Sequence, residues 1–345
     1  MRIGVLTGGG DCPGLNAVIR AIVKRSEKYG FDVVGVKHGW AGMLERKAVP
    51  LKYDDVADLL KTGGTILKTS RTNPMKRPDG AETILENMKK MGLDALIAIG
   101  GEDTLGAANE LAKRGLKVIG VPKTIDNDLS ATDVTFGFDT AVNTATEAID
   151  RVVDTARSHE RVMVVEVMGR HAGWITTYAG MAGGADLILI PEEPFDIEEV
   201  AEFVKRRMAE GKKATVIAVA EGATLKNVKD LIAQDKRLDE FGHVRLGGIG
   251  QFIAEEIEKR TGAQTRATVL GYILRGGSPS AYDRVLATRF GVAAVDLVKD
   301  GRFGMMVSLR GTKIVPVELE KAVAELKTVD SEFFDAAKTF FGSRS

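Results

Sequence analysis

Short apolar runs alternate with longer stretches in which apolar residues return every third or fourth position, and this rhythm persists along the 345-residue chain. The runs read as strands buried on both faces, the longer stretches as amphipathic helices. Strands are expected at 3–6, 33–36, 95–99, 118–121, 162–167, 187–190, 215–219 and 268–270. Helices are expected at 15–29, 83–91, 105–114, 140–156, 198–209, 251–260 and 282–299. Gly30, Gly92, Gly115, Gly211, Gly262 and Gly301 follow those helices, as C-capping glycines do. Alternation of this kind predicts an α/β protein, a mainly parallel sheet with helices on both faces, and the length suits two such lobes or one large one. A polar, charge-rich stretch at 226–245 breaks the rhythm and is expected to carry a helix and a surface excursion. The one hint of a lobe boundary is Phe136-Gly137-Phe138-Asp139, where a loop enters a long helix.

Composition narrows the partners. Lys+Arg and Asp+Glu both number 48, so no global field favours nucleic acid or an acidic membrane. The single cysteine, Cys12, excludes an internal disulfide framework and suits a reducing compartment; with no catalytic histidine evident beside it, it reads as packed structure. A strand begins almost at once with no signal-type apolar segment, and no apolar run reaches the roughly 20 residues that span a bilayer. The expected location is the cytoplasm.

The chemistry gathers at the carboxyl ends of the expected strands, where open α/β sheets bind ligands. Thr7-Gly8-Gly9-Gly10-Asp11-Cys12-Pro13-Gly14 joins a strand to a helix, and its glycines would let N–H groups face an anion. It is equally a tight turn with Asp11 as N-cap and Pro13 in the first helical turn. Gly100-Gly101-Glu102-Asp103-Thr104 repeats the setting: Glu102 is a candidate Mg²⁺ ligand, direct or through water, and Asp103 a candidate catalytic residue or simply an acid capping the helix start. Pro122-Lys123-Thr124-Ile125-Asp126-Asn127-Asp128 places a lysine and two aspartates after a buried strand, where they must pair or work. Asp126 is a candidate general base and Lys123 a cation for a migrating phosphoryl group, a Lys123–Asp ion pair being the alternative. Met168-Gly169-Arg170 forms a further loop, and Arg161, Arg266 and Arg275 stand near strand ends where guanidinium groups fork onto phosphate. Glu221 would accept from a sugar hydroxyl or cap a turn; His171 has no metal-ligand spacing.

These strings, with Pro13-Gly14-Leu15-Asn16 and Arg275-Gly276-Gly277-Ser278-Pro279, occur in order, and over 2–341 the chain resembles the 6-phosphofructokinases. The resemblance implies two similar three-layer α/β lobes with the active site between them: 1–137 with about 274–324 for the donor, and 138–273 with about 325–345 for fructose 6-phosphate. It implies Gly10 and Arg71 at the phosphoryl donor, Glu102 at Mg²⁺, and Asp126 as the base for the sugar 1-hydroxyl. Thr124, Asp128, Met168, Gly169, Arg170, Glu221, Tyr272 and Arg275 would hold the sugar phosphate. Arg161 and Arg266 would come from a neighbouring subunit of a homodimer or homotetramer.

Departures from the pattern bear on the donor. ATP-using members generally carry Gly-Asp-Gly-Ser where this chain has Gly101-Glu102-Asp103-Thr104, and Pro-Gly-Thr where it has Pro122-Lys123-Thr124. Asp103 puts charge and bulk where a nucleotide's α-phosphate would lie. Lys123 also occurs in ATP users, so Asp103 carries the distinction. The pair resembles the diphosphate-dependent branch, a reversible diphosphate–fructose-6-phosphate 1-phosphotransferase serving glycolysis and gluconeogenesis. The alternatives are an ATP-dependent 6-phosphofructokinase and, more remotely, a non-catalytic sugar-phosphate sensor. Tyr272 replaces a histidine common in the family, keeping a hydrogen-bond donor without a titratable cation.

Overall fold

The computed structural model describes residues 1–226, 233–238 and 244–341. From the amino end, β1 (Arg2–Thr7), α1 (Leu15–Lys28), β2 (Asp32–Val36), α2 (Gly39–Glu45), β3 (Ala48–Leu51), α3 (Gly80–Lys90), β4 (Ala95–Gly100), α4 (Glu102–Lys113) and β5 (Val118–Pro122) follow in turn. Next come α5 (Phe138–His159), β6 (Val162–Val167), α6 (Trp174–Ala182), β7 (Leu187–Leu189), α7 (Ile197–Ala209) and β8 (Thr215–Ala220). A hairpin of β9 (Ala233–Leu238) and β10 (Val244–Leu246), then α8 (Ile249–Thr261) and β11 (Thr265–Val269), continue the chain. It ends with α9 (Ala281–Lys299), β12 (Met305–Arg310), β13 (Lys313–Glu318), α10 (Leu319–Ala322) and α11 (Ser331–Lys338).

Two sheets carry the architecture. The larger has the order β13-β12-β5-β4-β1-β2-β3 and the smaller β11-β6-β8-β7. Every pairing in the smaller sheet is parallel; in the larger, only the outer β2–β3 and β12–β13 pairs run antiparallel. Strands β4, β5, β6 and β8 are buried at every position, the pattern of a parallel sheet covered on both faces. One apolar cluster runs from β1, α1 and α9 through α5 into β6 and α6, so both sheets share a core. A second lies under α3 and α4, and a third under α7 and α8.

The topology fixes where a ligand can sit. β1 lies between β2 and β4, and β6 between β8 and β11; crossovers leave these strands in opposite directions and open a crevice at their carboxyl ends.

Several expectations need correction. The strand expected at 268–270 begins earlier, as β11, and a 3₁₀ turn, Gly271–Arg275, follows it. Tyr272 and Arg275 therefore sit on that turn. Asp11 does not cap α1, which starts at Leu15 after Gly14, whose φ of 105° favours glycine. Within 226–245, residues 233–238 and 244–245 form strands paired as a hairpin and no helix occurs among the described residues; 227–232 and 239–243 lie outside the described residues. Strands β3, β12 and β13 and helices α2, α6 and α11 were not expected, being short or weakly periodic. The glycines expected to close helices do adopt positive φ, as at Gly115 (95°) and Gly262 (70°).

Candidate active site

A cavity of about 770 Å³ lies where the carboxyl ends of β1, β4, β5, β6, β8 and β11 converge. Gly10, Arg71, Glu102, Asp103, Lys123, Thr124, Asp126, Asp128, Met168, Arg170, Glu221, Tyr272 and Arg275 all line it. Gly169 lies between two lining residues at φ 153°, and its carbonyl accepts from the Gly222 N–H at 3.1 Å.

The glycine loop is held from three sides. Gly9 N donates to Ser70 O at 3.1 Å, and Thr69 Oγ1 donates to Gly9 O at 2.6 Å. Lys123, only 3% exposed, donates through Nζ to the Gly10 carbonyl, joining the loops after β1 and β5. Burial pulls the Lys123 ammonium below the ordinary lysine range. Arg275 crosses from the smaller sheet's side: a Cβ on Gly10 would meet its Nη1 at 1.7 Å, and Nη1 donates to Asp11 O at 3.4 Å. Only glycine at position 10 leaves room for that guanidinium.

Glu102 and Asp103 occupy the first turn of α4, whose N-cap is Gly101 without a side-chain cap. Their carboxylates meet the positive end of the helix there. Thr104 beside them is buried and packs tightly over Gly8 and Gly100, so the backbone carrying Asp103 has a fixed position.

In the base loop, Asp126 N donates to Thr124 Oγ1 at 3.1 Å and Thr135 Oγ1 donates to Thr124 O at 2.7 Å. Asp126 Oδ1 is shielded and has no hydrogen-bond partner; Arg275 Nε is in the same condition. Both belong to side chains of the cavity wall, and unsatisfied buried polar atoms are costly unless they serve a ligand. Burial raises the Asp126 pKa, while Arg275, Arg170 and Lys123 hold it back. Burial, then the Asp126 charge, pushes Asp128 up to about 7. Glu221 is also pushed up to about 7, by burial and then Asp126.

Seven carboxylates line the cavity (Asp11, Glu102, Asp103, Asp126, Asp128, Glu166, Glu221) against four cations (Arg71, Lys123, Arg170, Arg275). A divalent cation would offset that excess. Among the described residues no group of three His, Cys, Asp or Glu could hold a metal alone. Glu102 in the cavity wall offers a carboxylate of the kind Mg²⁺ takes, one or two commonly sufficing when phosphate oxygens and water complete its shell.

Arg161 and Arg266 stand apart. Both lie at the amino ends of their strands, opposite the loops of the cavity, with Arg266 registered beside Met163. Arg161 Nε donates to Gln264 Oε1 at 2.7 Å, and Arg266 Nη1 to Thr265 O at 2.6 Å. The fold of one chain does not bring them to its own cavity.

Sequence reasoning missed Thr69, Ser70 and Glu166 among the lining residues. Glu166, 2% exposed, accepts from Gly248 N at 3.1 Å and Gly250 N at 2.8 Å at the start of α8. Its signal was legible: a lone carboxylate inside an apolar strand. Thr69 and Ser70 carried none.

The fold and cavity define a class: an α/β protein whose glycine-rich loops, acids and buried lysine suit phosphoryl transfer. The family pattern described as Phosphofructokinase matches residues 2–298. A protein of Amycolatopsis methanolica named pyrophosphate–fructose 6-phosphate 1-phosphotransferase is 60% identical over 343 residues, covering 99% of this chain and 100% of that protein. One of Mycobacterium tuberculosis named ATP-dependent 6-phosphofructokinase is 55% identical over 344 residues, with 99% and 100% covered. The crystal structure of a pyrophosphate-dependent phosphofructokinase from Nitrosospira multiformis matches at TM-score 0.83 and 21% identity, over 99% of this chain and 91% of that one, a likeness of fold. The chain belongs to the phosphofructokinase family and is an enzyme.

Proposed function

We propose that the enzyme moves a phosphoryl group from inorganic diphosphate to the 1-hydroxyl of fructose 6-phosphate, giving fructose 1,6-bisphosphate and phosphate, reversibly. The observation that carries this reading is Asp103 in the wall of the cavity that Gly10, Arg71 and Lys123 also line, anchored in the first turn of α4. A nucleotide would set its α-phosphate against that carboxylate; diphosphate ends before reaching it.

Asp126 takes the proton from the 1-hydroxyl through its unpartnered Oδ1, its raised pKa making it a better acceptor. The freed oxygen attacks the nearer phosphorus in line, the bridging P–O bond breaks, and phosphate leaves. Lys123 and Arg71 meet the charge on the transferring and leaving oxygens. Arg170 and Arg275, with Thr124, Asp128, Met168, Gly169, Glu221 and Tyr272, orient the ketose phosphate. Mg²⁺ held at Glu102 would supply charge neutralisation for the diphosphate when bound.

On this reading 1–137 with about 274–324 carries the donor, and 138–273 with about 325–345 the ketose. Arg161 and Arg266 serve the cavity of a second copy in a homodimer or homotetramer. Edge strand β11 and the turn after it leave Val269 50%, Tyr272 65% and Ile273 57% exposed, an apolar surface such an assembly would cover. Among the described residues no helix is long and apolar enough to cross a membrane, and the proposed location is the cytoplasm.

The second reading, an ATP-dependent enzyme, has the Mycobacterium tuberculosis relative in its favour. Initial rates with diphosphate and with ATP, at equal free Mg²⁺ and saturating fructose 6-phosphate, separate the two. Faster turnover with ATP refutes the diphosphate assignment.

A further inference from the structure

We infer that Lys327 is a positioning residue for the base loop, and that the 326–329 segment straps this loop to the ketose loop of the other sheet. The inference rests on the proposed role of Asp126.

The base loop has little regular structure of its own to hold it. Asn127 sits at φ 52°, in the left-handed region that non-glycine residues occupy at a cost. Something outside the loop must make this conformation the best available. Asn127 Oδ1 accepts from Thr135 N at 3.1 Å and from Lys327 Nζ at 2.9 Å. Lys327 N also donates to Asp128 O at 2.8 Å, and Leu326 bridges antiparallel to Leu129. The ammonium spends its remaining donors on Thr132 O at 3.1 Å and Asp133 O at 2.8 Å. All three protons of the lysine are thus committed to one segment, 127–133. From Thr135 the path reaches Asp126 through Thr124, whose carbonyl and hydroxyl take the Thr135 Oγ1 and Asp126 N donors.

The other side of the strap holds the ketose loop. Trp174 Nε1 donates to Lys327 O at 2.9 Å, and Lys327 Nζ lies 5.6 Å from the centroid of that ring. Val329 N donates to Glu192 Oε1 at 2.9 Å, and the same carboxylate accepts from Gly173 N at 2.9 Å. Gly173 and Trp174 close the loop that starts with Met168 and Arg170. A segment remote in sequence from both loops therefore fixes the base on one side and the sugar-phosphate loop on the other. A base works only within hydrogen-bonding reach of its proton, and a shift of about 1 Å can cost about 100-fold in rate. A lysine that merely tied down the chain end would affect stability and leave turnover per folded molecule intact.

The test uses the full-length enzyme with whichever donor, diphosphate or ATP, supports turnover. Lys327→Met should lower kcat by about 10- to 100-fold while KM for fructose 6-phosphate stays within about threefold. Lys327→Arg, which keeps the cation, should recover most of the loss. Trp174→Phe keeps the ring and deletes the donor, and should lower kcat in the same direction. It also decides the matter should Lys327→Met fail to fold. Full kcat in Trp174→Phe and in folded Lys327→Met, or a change confined to KM, overturns the inference. Asp126→Asn is run beside them. Undiminished turnover there overturns the base assignment itself, whereas a dead Asp126→Asn with an unimpaired Lys327→Met overturns the strap alone.

Discussion

Asp103 offers the sharpest test of donor choice. Thr104, locked over Gly8 and Gly100, fixes the backbone beside it, so substitutions at 103 change the side chain without moving the loop. Two unit charges about 4 Å apart at an effective dielectric near 20 repel by about 4 kcal/mol, nearly three decades of affinity. Asp103 is only half-buried, and solvent screening reduces this figure. Asp103→Asn removes the charge and keeps the shape; it should raise kcat/KM for ATP by about 10- to 100-fold. Asp103→Gly also opens space and should add to that gain, up to about 1000-fold. Both should leave the diphosphate reaction changed far less. Removing a first-turn acid costs about 0.3–1 kcal/mol and a helical glycine about 1 kcal/mol, so Tm should drop by only a few degrees. The assay is initial velocity against ATP and diphosphate, repeated at two ionic strengths, because a charge effect shrinks with salt. If neither variant gains with ATP, the exclusion argument is wrong and selectivity lies elsewhere in the cavity.

Three further outcomes follow from the geometry. In Gly10→Ala the new Cβ meets Arg275 Nη1 at 1.7 Å. The flexible guanidinium should swing away, raising KM for fructose 6-phosphate about tenfold or more with little loss of Tm; an unchanged KM would remove Arg275 from the sugar site. Asp283 is buried, accepts from Thr140 N at 2.8 Å, and burial pushes its pKa up to about 6 from 3.8. The folded state thus holds this proton more tightly than the unfolded chain, so its contribution is complete below the unfolded pKa and is lost as pH rises through about 6. The Tm of the parent relative to Asp283→Asn should therefore fall between about pH 4 and pH 6.5, and parallel curves would contradict it. On the proposed homo-oligomer, Arg161→Ala and Asp126→Asn, each expected to be inactive alone, should regain activity when their subunits are co-refolded, because some cavities would then combine an intact base with a neighbour's intact arginine. Failure of mixed oligomers to recover any turnover would place Arg161 outside the neighbour's site.

Much of this enzyme is legible in its residue order. Strands such as 95–99 and 118–121 are apolar throughout because a parallel sheet covered on both faces leaves no polar side, and the loops after them carry acids and glycines that no core would tolerate without use. Local pattern therefore located the 8–14, 100–104, 122–128 and 168–170 loops. It could not show that Lys123 reaches the Gly10 carbonyl, that Arg275 lies across Gly10, or that Lys327 holds Asn127 from 200 residues away. Nor could it mark Thr69 and Ser70, ordinary loop residues until Gly9 bonds to them. Periodicity and turn chemistry act over a few neighbouring residues and are written in the sequence; which loops meet depends on strand order, and strand order is settled only when distant segments bury their apolar faces together.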